Sequence, residues 1–467
     1  MKRFSASVPG YVLVFLVSLL LTSCAEIKLQ PTKVVEGPAP KFALSASGLA
    51  ETGMWKCTPI LADINGDGHL DILAINRLED GVHVWLGDGR GNWRDSSQGL
   101  ANPSSACGGG IAYGDINKDG FLDLAVADHC SGVYVFLQQP DGSWKRVVER
   151  LHPPIDKNIV TEGNEDTVVF FIGAEDIAMG DINSDGCLDI VAPASDQGGF
   201  GVYLGDCSGR NWKSVTDSGL PNMSNPEPED EDNAGWANRV ILADINKDGH
   251  LDVLASYYRG PRVWLGDGKG FFQNASAGLP APLIGGLYRG LDYGDINGDG
   301  LLDLVAANDV NGPEGYLQQP DGTWKSLGDL MPSMQNGAVG IALGDFTHSG
   351  RLDMVVAGRK EKARGSNYGL YFLKNDGTGR FQELTNTDLP PRGVSVAWGV
   401  AVGDVNEDGH LDFIAATGGS VTGPEPGKPK KPRKSLKKKE AKEVKEDAAI
   451  PELPLPRMQA WVNQGVK

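Results

Sequence analysis

Apolar residues along this 467-residue chain fall into short runs separated by polar turns. A typical unit opens with a stretch such as Ile111–Tyr113, crosses a turn rich in Asp, Asn and Gly, and resumes as Leu122–Val126. After a variable loop comes a third run that ends in a tight turn, as in Val84–Trp93. A last polar-apolar stretch closes near a Gly-Leu pair, at Gly99-Leu100, Gly219-Leu220 and Gly278-Leu279. Short runs bounded by Asp-Gly turns predict β-strands, four to a unit.

The turn between the first two runs repeats almost without change. Asp63, Asn65, Asp67 and Asp71 recur as Asp115, Asn117, Asp119 and Asp123, and as Asp181, Asn183, Asp185 and Asp189. They return as Asp244, Asn246, Asp248 and Asp252, as Asp295, Asn297, Asp299 and Asp303, and as Asp404, Asn406, Asp408 and Asp412. A seventh copy has decayed to Asp345, Thr347, Ser349 and Asp353. A repeat of this length signals one supersecondary unit per copy. The two ends of the pattern complete each other. Met458–Gln464 matches the third run of a unit, and Phe42–Leu49 matches the fourth. The expectation is an all-β, seven-bladed β-propeller with four-stranded blades, its last blade closed by the N-terminal strand. Such a ring leaves only short, protected sheet edges. An open stack of repeats would instead need capping units at its ends.

Loop positions 1, 3, 5 and 9 carry side-chain oxygens and position 6 is glycine. Calcium takes six to eight oxygens at about 2.3–2.6 Å in a forgiving geometry, which such a turn supplies. A helical calcium hand would need Glu at position 12, where Ala74, Val126, Ala192, Ala255, Ala306 and Ala415 stand. Asp and Asn also form turns without any metal. Three carboxylates within nine residues, six times over, would nevertheless repel one another without a cation. The expectation is Ca2+ at about six structural sites, with magnesium less suited because of its strict octahedral demand. The copy at Asp345 is expected to bind poorly or not at all.

Composition agrees. The 63 Gly and 28 Pro suit a turn-rich chain, and the net charge of −18 argues against nucleic acid as a partner. Six divalent ions would offset two thirds of that charge. Lys2 and Arg3 precede an apolar stretch, Tyr11–Leu21, too short for a comfortable membrane span, so residues 1–23 read as a secretory signal. Leu21 to Cys24 resembles the bacterial lipobox, which implies lipidation of Cys24, a tether over residues 24–41 and a propeller over 42–467. The implied location is the bacterial cell envelope, lipid-anchored, at the outer membrane or cell surface rather than the periplasmic side of the inner membrane. Residues 424–457 interrupt the last blade. Ten Lys or Arg between Lys428 and Lys445, with Pro interspersed, cannot bury a core, so this insertion is expected to be disordered.

Over residues 42–467 the repeats resemble the FG-GAP/VCBS family, the propellers also seen in integrin α-subunits. Full Phe-Gly and Gly-Ala-Pro elements are absent, which is closer to the bacterial VCBS-type variant. The resemblance implies calcium loops on a lower face and partners on the upper one. On that blade topology Cys107 pairs with Cys130 and Cys187 with Cys207, leaving Cys57 free. Upper-face candidates for partner binding are Trp55, Trp236, Tyr288, Arg289 and Trp398 before first strands, and Tyr257, Tyr258 and Arg259 after a second. Aromatics on short strands more often serve packing.

No nucleophile elbow, zinc helix or phosphate loop accompanies His83, His129 or His152, and no acid pair is marked for glycoside chemistry. The expected function is therefore a non-enzymatic, calcium-stabilised adhesion or protein-interaction module. The alternative is a carbohydrate-binding or polysaccharide-degrading surface protein. The expected partners are an envelope or cell-surface protein or glycan, with the membrane reached through the lipid.

Overall fold

The computed structural model describes residues 38–77, 81–100, 107–151, 173–194, 198–222, 235–257, 260–280, 287–334, 337–358, 369–391, 396–418 and 455–466. Cys24, Tyr258, Arg259, His152 and nearly all of the basic insertion lie outside them.

Seven four-stranded antiparallel sheets form a ring, six with their strands in sequence order and the seventh with the first strand of the chain beside the last. Blade 1 consists of Ile60–Ala62, Asp71–Asn76, Gly81–Gly87 and Trp93–Asp95. Blades 2 to 6 follow the same plan from Ile111 to Leu384. Blade 7 takes Ala397–Gly403, Asp412–Thr417 and Met458–Val466 from one end of the chain and Pro40–Leu44 from the other. The closing strand therefore begins at Pro40, two residues before the position read from the repeat. It pairs Phe42 with Asn463 and Leu44 with Trp461. Phe42 also packs among Phe346, Phe372 and Phe413, at centroid distances of 5.9, 5.8 and 5.1 Å. That places one aromatic side chain from the closing strand in the seam between blades 6 and 7.

The second strand of each blade is buried at every position, because neighbouring blades cover both of its faces. This accounts for apolar runs such as Ile72–Ile75 in place of a strict polar-apolar alternation. The core is correspondingly a set of interblade clusters. One joins Trp55, Ile72 and Trp85 of blade 1 to Leu124 and Phe136 of blade 2 and Ile414 of blade 7.

First strands line the ring's interior, where blades converge and space is tightest. A Cβ on Gly399 would stand 2.3 Å from the Cys57 carbonyl oxygen, and one on Gly340 would stand 2.9 Å from the Gly399 Cα. Backbone meets backbone there, and only glycine allows it. Apart from one short 3-10 turn at Gly328–Leu330, the described residues contain no helix.

Candidate metal-binding loops and the upper face

Each repeated loop joins the first strand of its blade to the second, so the six full copies and the decayed one share a single face. Blade 1 shows how the turn is made. Both oxygens of Asp63 accept backbone N–H groups, Oδ1 from Asp67 at 3.0 Å and Oδ2 from Gly68 at 2.9 Å. Asn65 Oδ1 accepts the same Asp67 N–H at 2.9 Å, so the oxygens of positions 1 and 3 converge on one point. The same pattern recurs in blades 2, 3, 4, 5 and 7.

Two backbone positions in every loop are left-handed. Position 6 is always glycine, from φ 71° at Gly350 to φ 92° at Gly68. Position 4 is left-handed as well, although Lys118, Ser184, Lys247, His348 and Glu407 occupy it in five copies, with φ between 52° and 62°. Such strain costs of order 1 kcal/mol per residue and persists only where surrounding structure enforces it. The sequence reading located the glycine and missed position 4, because no residue type marks it.

Position 9 does more than close the loop. Asp71 is fully buried and begins the second strand. Its Oδ2 accepts the Ile64 N–H at 2.8 Å, and its Oδ1 accepts the Gly87 N–H at 2.8 Å from the end of the third strand. Asp123, Asp189, Asp252, Asp303 and Asp412 make the equivalent ties to Gln138, Gly205, Gly266, Gln318 and Asn463. One carboxylate thus staples loop, second strand and third strand together. Burial, with the other loop carboxylates adding to it, pushes Asp71 and Asp123 up to about 6, and Asp303 and Asp412 up to about 7.

The donors offered by each loop are all oxygens, which suits a hard divalent cation and not a soft one. Among the described residues, no Lys, Arg or His ion pair reaches these carboxylates. The three carboxylates of one loop do not close to within 4.8 Å of one another as a trio, each resting on turn N–H groups instead. The residues fit calcium by the chemistry of their donors.

The one trio of metal-type ligands that does close to 4.8 Å among the described residues is Cys107, Asp128 and Cys130. It is not a metal site, because Cys107 and Cys130 are joined as a disulfide with Cα atoms 5.6 Å apart. Asp128 accepts the backbone N–H of both half-cystines, at 2.8 and 3.0 Å, and so fixes their positions. Cys187 and Cys207 form a second disulfide. Cys57 is buried as a free thiol, which burial pushes up to about 12.

The upper face departs from the sequence reading. Trp55, Tyr257 and Tyr288 are 1%, 0% and 2% exposed, so they offer no surface to a partner. Each joins an interblade cluster: Trp55 edge-on to Trp85 in the cluster that includes Phe136 of blade 2, Tyr257 against Phe200 of the preceding blade, and Tyr288 in the cluster that includes Leu254 of the preceding blade. Their polar ends are satisfied internally, as where the Tyr288 hydroxyl donates to Glu314 Oε2 at 2.8 Å. Trp236, Arg289 and Trp398 keep partial exposure. Arg289 and Trp398 help to line a cavity of about 100 Å³ where the first strands begin, at the axial mouth opposite the loops. Lys56, Arg77, His129 and Glu175 complete its polar wall, and no sequence signal had joined these residues.

Comparison with known proteins adds the following. A family model described as an FG-GAP-like repeat matches residues 63–126, 115–192, 181–255, 244–306, 295–356 and 357–415. Five of these six matches begin at the first aspartate of a loop. The T-cell immunomodulatory protein homolog of Plasmodium falciparum is 26% identical over 227 residues, covering 41% of this chain and 28% of that protein. Human integrin alpha-6 is 34% identical over 127 residues, 25% of this chain and 10% of its own length. The chain thus spans less than a third of either relative. Among solved structures, BBS1N in complex with ARL6DN, soaked with lead, aligns over 81% of this chain and 94% of that one, at 12% identity and a TM-score of 0.50. That likeness concerns the fold alone.

Proposed function

The chain belongs to the FG-GAP-like repeat family, and on that footing we propose that it is a calcium-held, non-enzymatic interaction module displayed on a bacterial cell envelope. Six loops bind calcium as structural ions, and the opposite face meets a protein partner. The observation that carries this reading is the sixfold recurrence of an oxygen-only loop whose buried aspartate is costly to ionise without a cation. Two disulfides fit an oxidising compartment. The lipobox-like segment ending in Cys24 supplies the anchor, and the polar residues after it a tether. Repeats shared with an integrin α-subunit favour adhesion over catalysis.

The test is calorimetric titration of calcium into chelator-stripped protein. About six ions per chain are expected, and heats no larger than buffer dilution would overturn the metal reading. Radiolabelled palmitate should be incorporated when the full chain is expressed in bacteria and lost in Cys24→Ala; label retained in that variant would overturn the anchor.

A further inference from the structure

The axial mouth gathers more cationic groups than its own carboxylates engage. Glu175 is taken by His129, whose Nδ1 lies 2.5 Å from Glu175 Oε1. Asp176, fully buried, accepts the Val240 N–H at 2.9 Å and faces Arg239 at 3.3 Å. Arg289 stands 3.6 Å from Asp309. Arg77 Nε is buried and has no hydrogen-bond acceptor among the described residues. Lys56 Nζ lies 5.6 Å from the centroid of the Trp398 ring, and both side chains line the same cavity.

We propose that this cavity receives the carboxylate of a peptide partner, held by Lys56 and Arg77 with Arg289 at its edge. The inference deepens the interaction-module reading and rests on it. Burial, followed by repulsion from Arg77 and Arg289, pushes Lys56 down to about 8. A guest anion would relieve that repulsion and accept the Arg77 N–H in a charge-assisted bond. Size narrows the class of guest. The cavity holds about 100 Å³, whereas a benzene-sized guest is accommodated by a cavity of about 150 Å³. A carboxylate on a methylene fits within the recess, whereas a uronic-acid ring would have to sit across its open mouth. Glu175 and Asp176 in the wall further disfavour a doubly charged phosphate.

The experiment titrates three probes into the calcium-saturated full chain and follows binding by calorimetry. The probes are end-blocked glycyl-aspartyl-glycine, its asparaginyl counterpart, and glucuronate. The aspartyl peptide is expected to bind at least tenfold more tightly than either of the others. Arg77→Gln and Lys56→Gln should each weaken it about tenfold, while Arg77→Lys retains most of the affinity. Equal affinity for the asparaginyl peptide, absence of any binding, or tighter binding of glucuronate would overturn the proposal. The peptide comparison is made on the unaltered protein, so it stands even where a variant fails to fold. Calcium stoichiometry measured on the same samples separates the two readings, since peptide binding by protein that holds no calcium after equilibration with the ion would refute only the metal sites.

Discussion

In blade 6, Asp345 accepts the N–H groups of Ser349 and Gly350 at 2.9 and 2.7 Å, much as Asp63 accepts those of Asp67 and Gly68 in blade 1. Asp353 ties the loop to Asn375 of the third strand at 3.0 Å, as Asp71 does to Gly87. His348 and Gly350 keep the left-handed conformations of positions 4 and 6. What changes is the filling. Thr347 donates to Asp353 Oδ2 at 2.9 Å and lies 3.1 Å from Ser349 Oγ, so the hydroxyls close on their own loop. The turn therefore forms without Asn at position 3 or Asp at position 5. Where those residues are present six times over, they exceed what turn formation requires, an excess that the proposed cation binding would explain.

The largest separation between the two kinds of loop should come from removing calcium. Excess chelator is expected to lower the melting midpoint by roughly 10 °C or more, because ions bound only to the folded state stabilise it by about 2.7 kcal/mol per site at a hundredfold excess over Kd. Coincident melting curves with and without chelator would show that all seven loops are mere turns. Next in size is loss of the staple. Asp303→Ala and Asp353→Ala each strip a buried carboxylate from its backbone donors, at about 3 kcal/mol in denaturant unfolding under chelator. With calcium present the Asp303→Ala cost should grow, and the Asp353→Ala cost should not.

Protonation sharpens the comparison further. An unfolded aspartate titrates near pH 3.9, whereas burial holds Asp71 near 6 and Asp303 and Asp412 near 7 in the folded chain. With raised folded values, the ion-free protein loses stability as pH rises from about 4 to 7. Calcium favours the ionised form, so its stabilising effect should grow over that same range. The calcium-induced rise in melting midpoint should be clearly smaller at pH 5.5 than at pH 7.5, and a pH-independent rise would contradict the assignment. The smallest expected effect is a gain. Thr347→Asn combined with Ser349→Asp should raise calcium stoichiometry by one, read by the same titration.

The fold was legible because the repeat announces itself seven times and the two ends of the pattern complete one blade. The repeated loops and their oxygen-bearing positions were legible because they are a matter of residue type. What escaped was decided by assembly. Trp55, Tyr257 and Tyr288 flank strands in a manner that sequence alone cannot distinguish from display, and only adjoining blades bury them. The bond from Asp71 to Gly87 depends on strand register, and the axial cavity on seven strand starts meeting at one place. Left-handed Lys247 or Glu407 carries no mark in its chemistry.

The pairing of Phe42 with Asn463 has a consequence in time. A chain made or exported from its N-terminus presents Pro40–Leu44 first, and its partner Met458–Val466 emerges more than four hundred residues later. Blades 1 to 6 can each form from local hairpins as they appear, but the ring cannot close until that interval has passed. Contacts of such sequence separation are slow to form. The unpaired strand, with Phe42 still exposed, is therefore expected to stay open to protease until the ring closes.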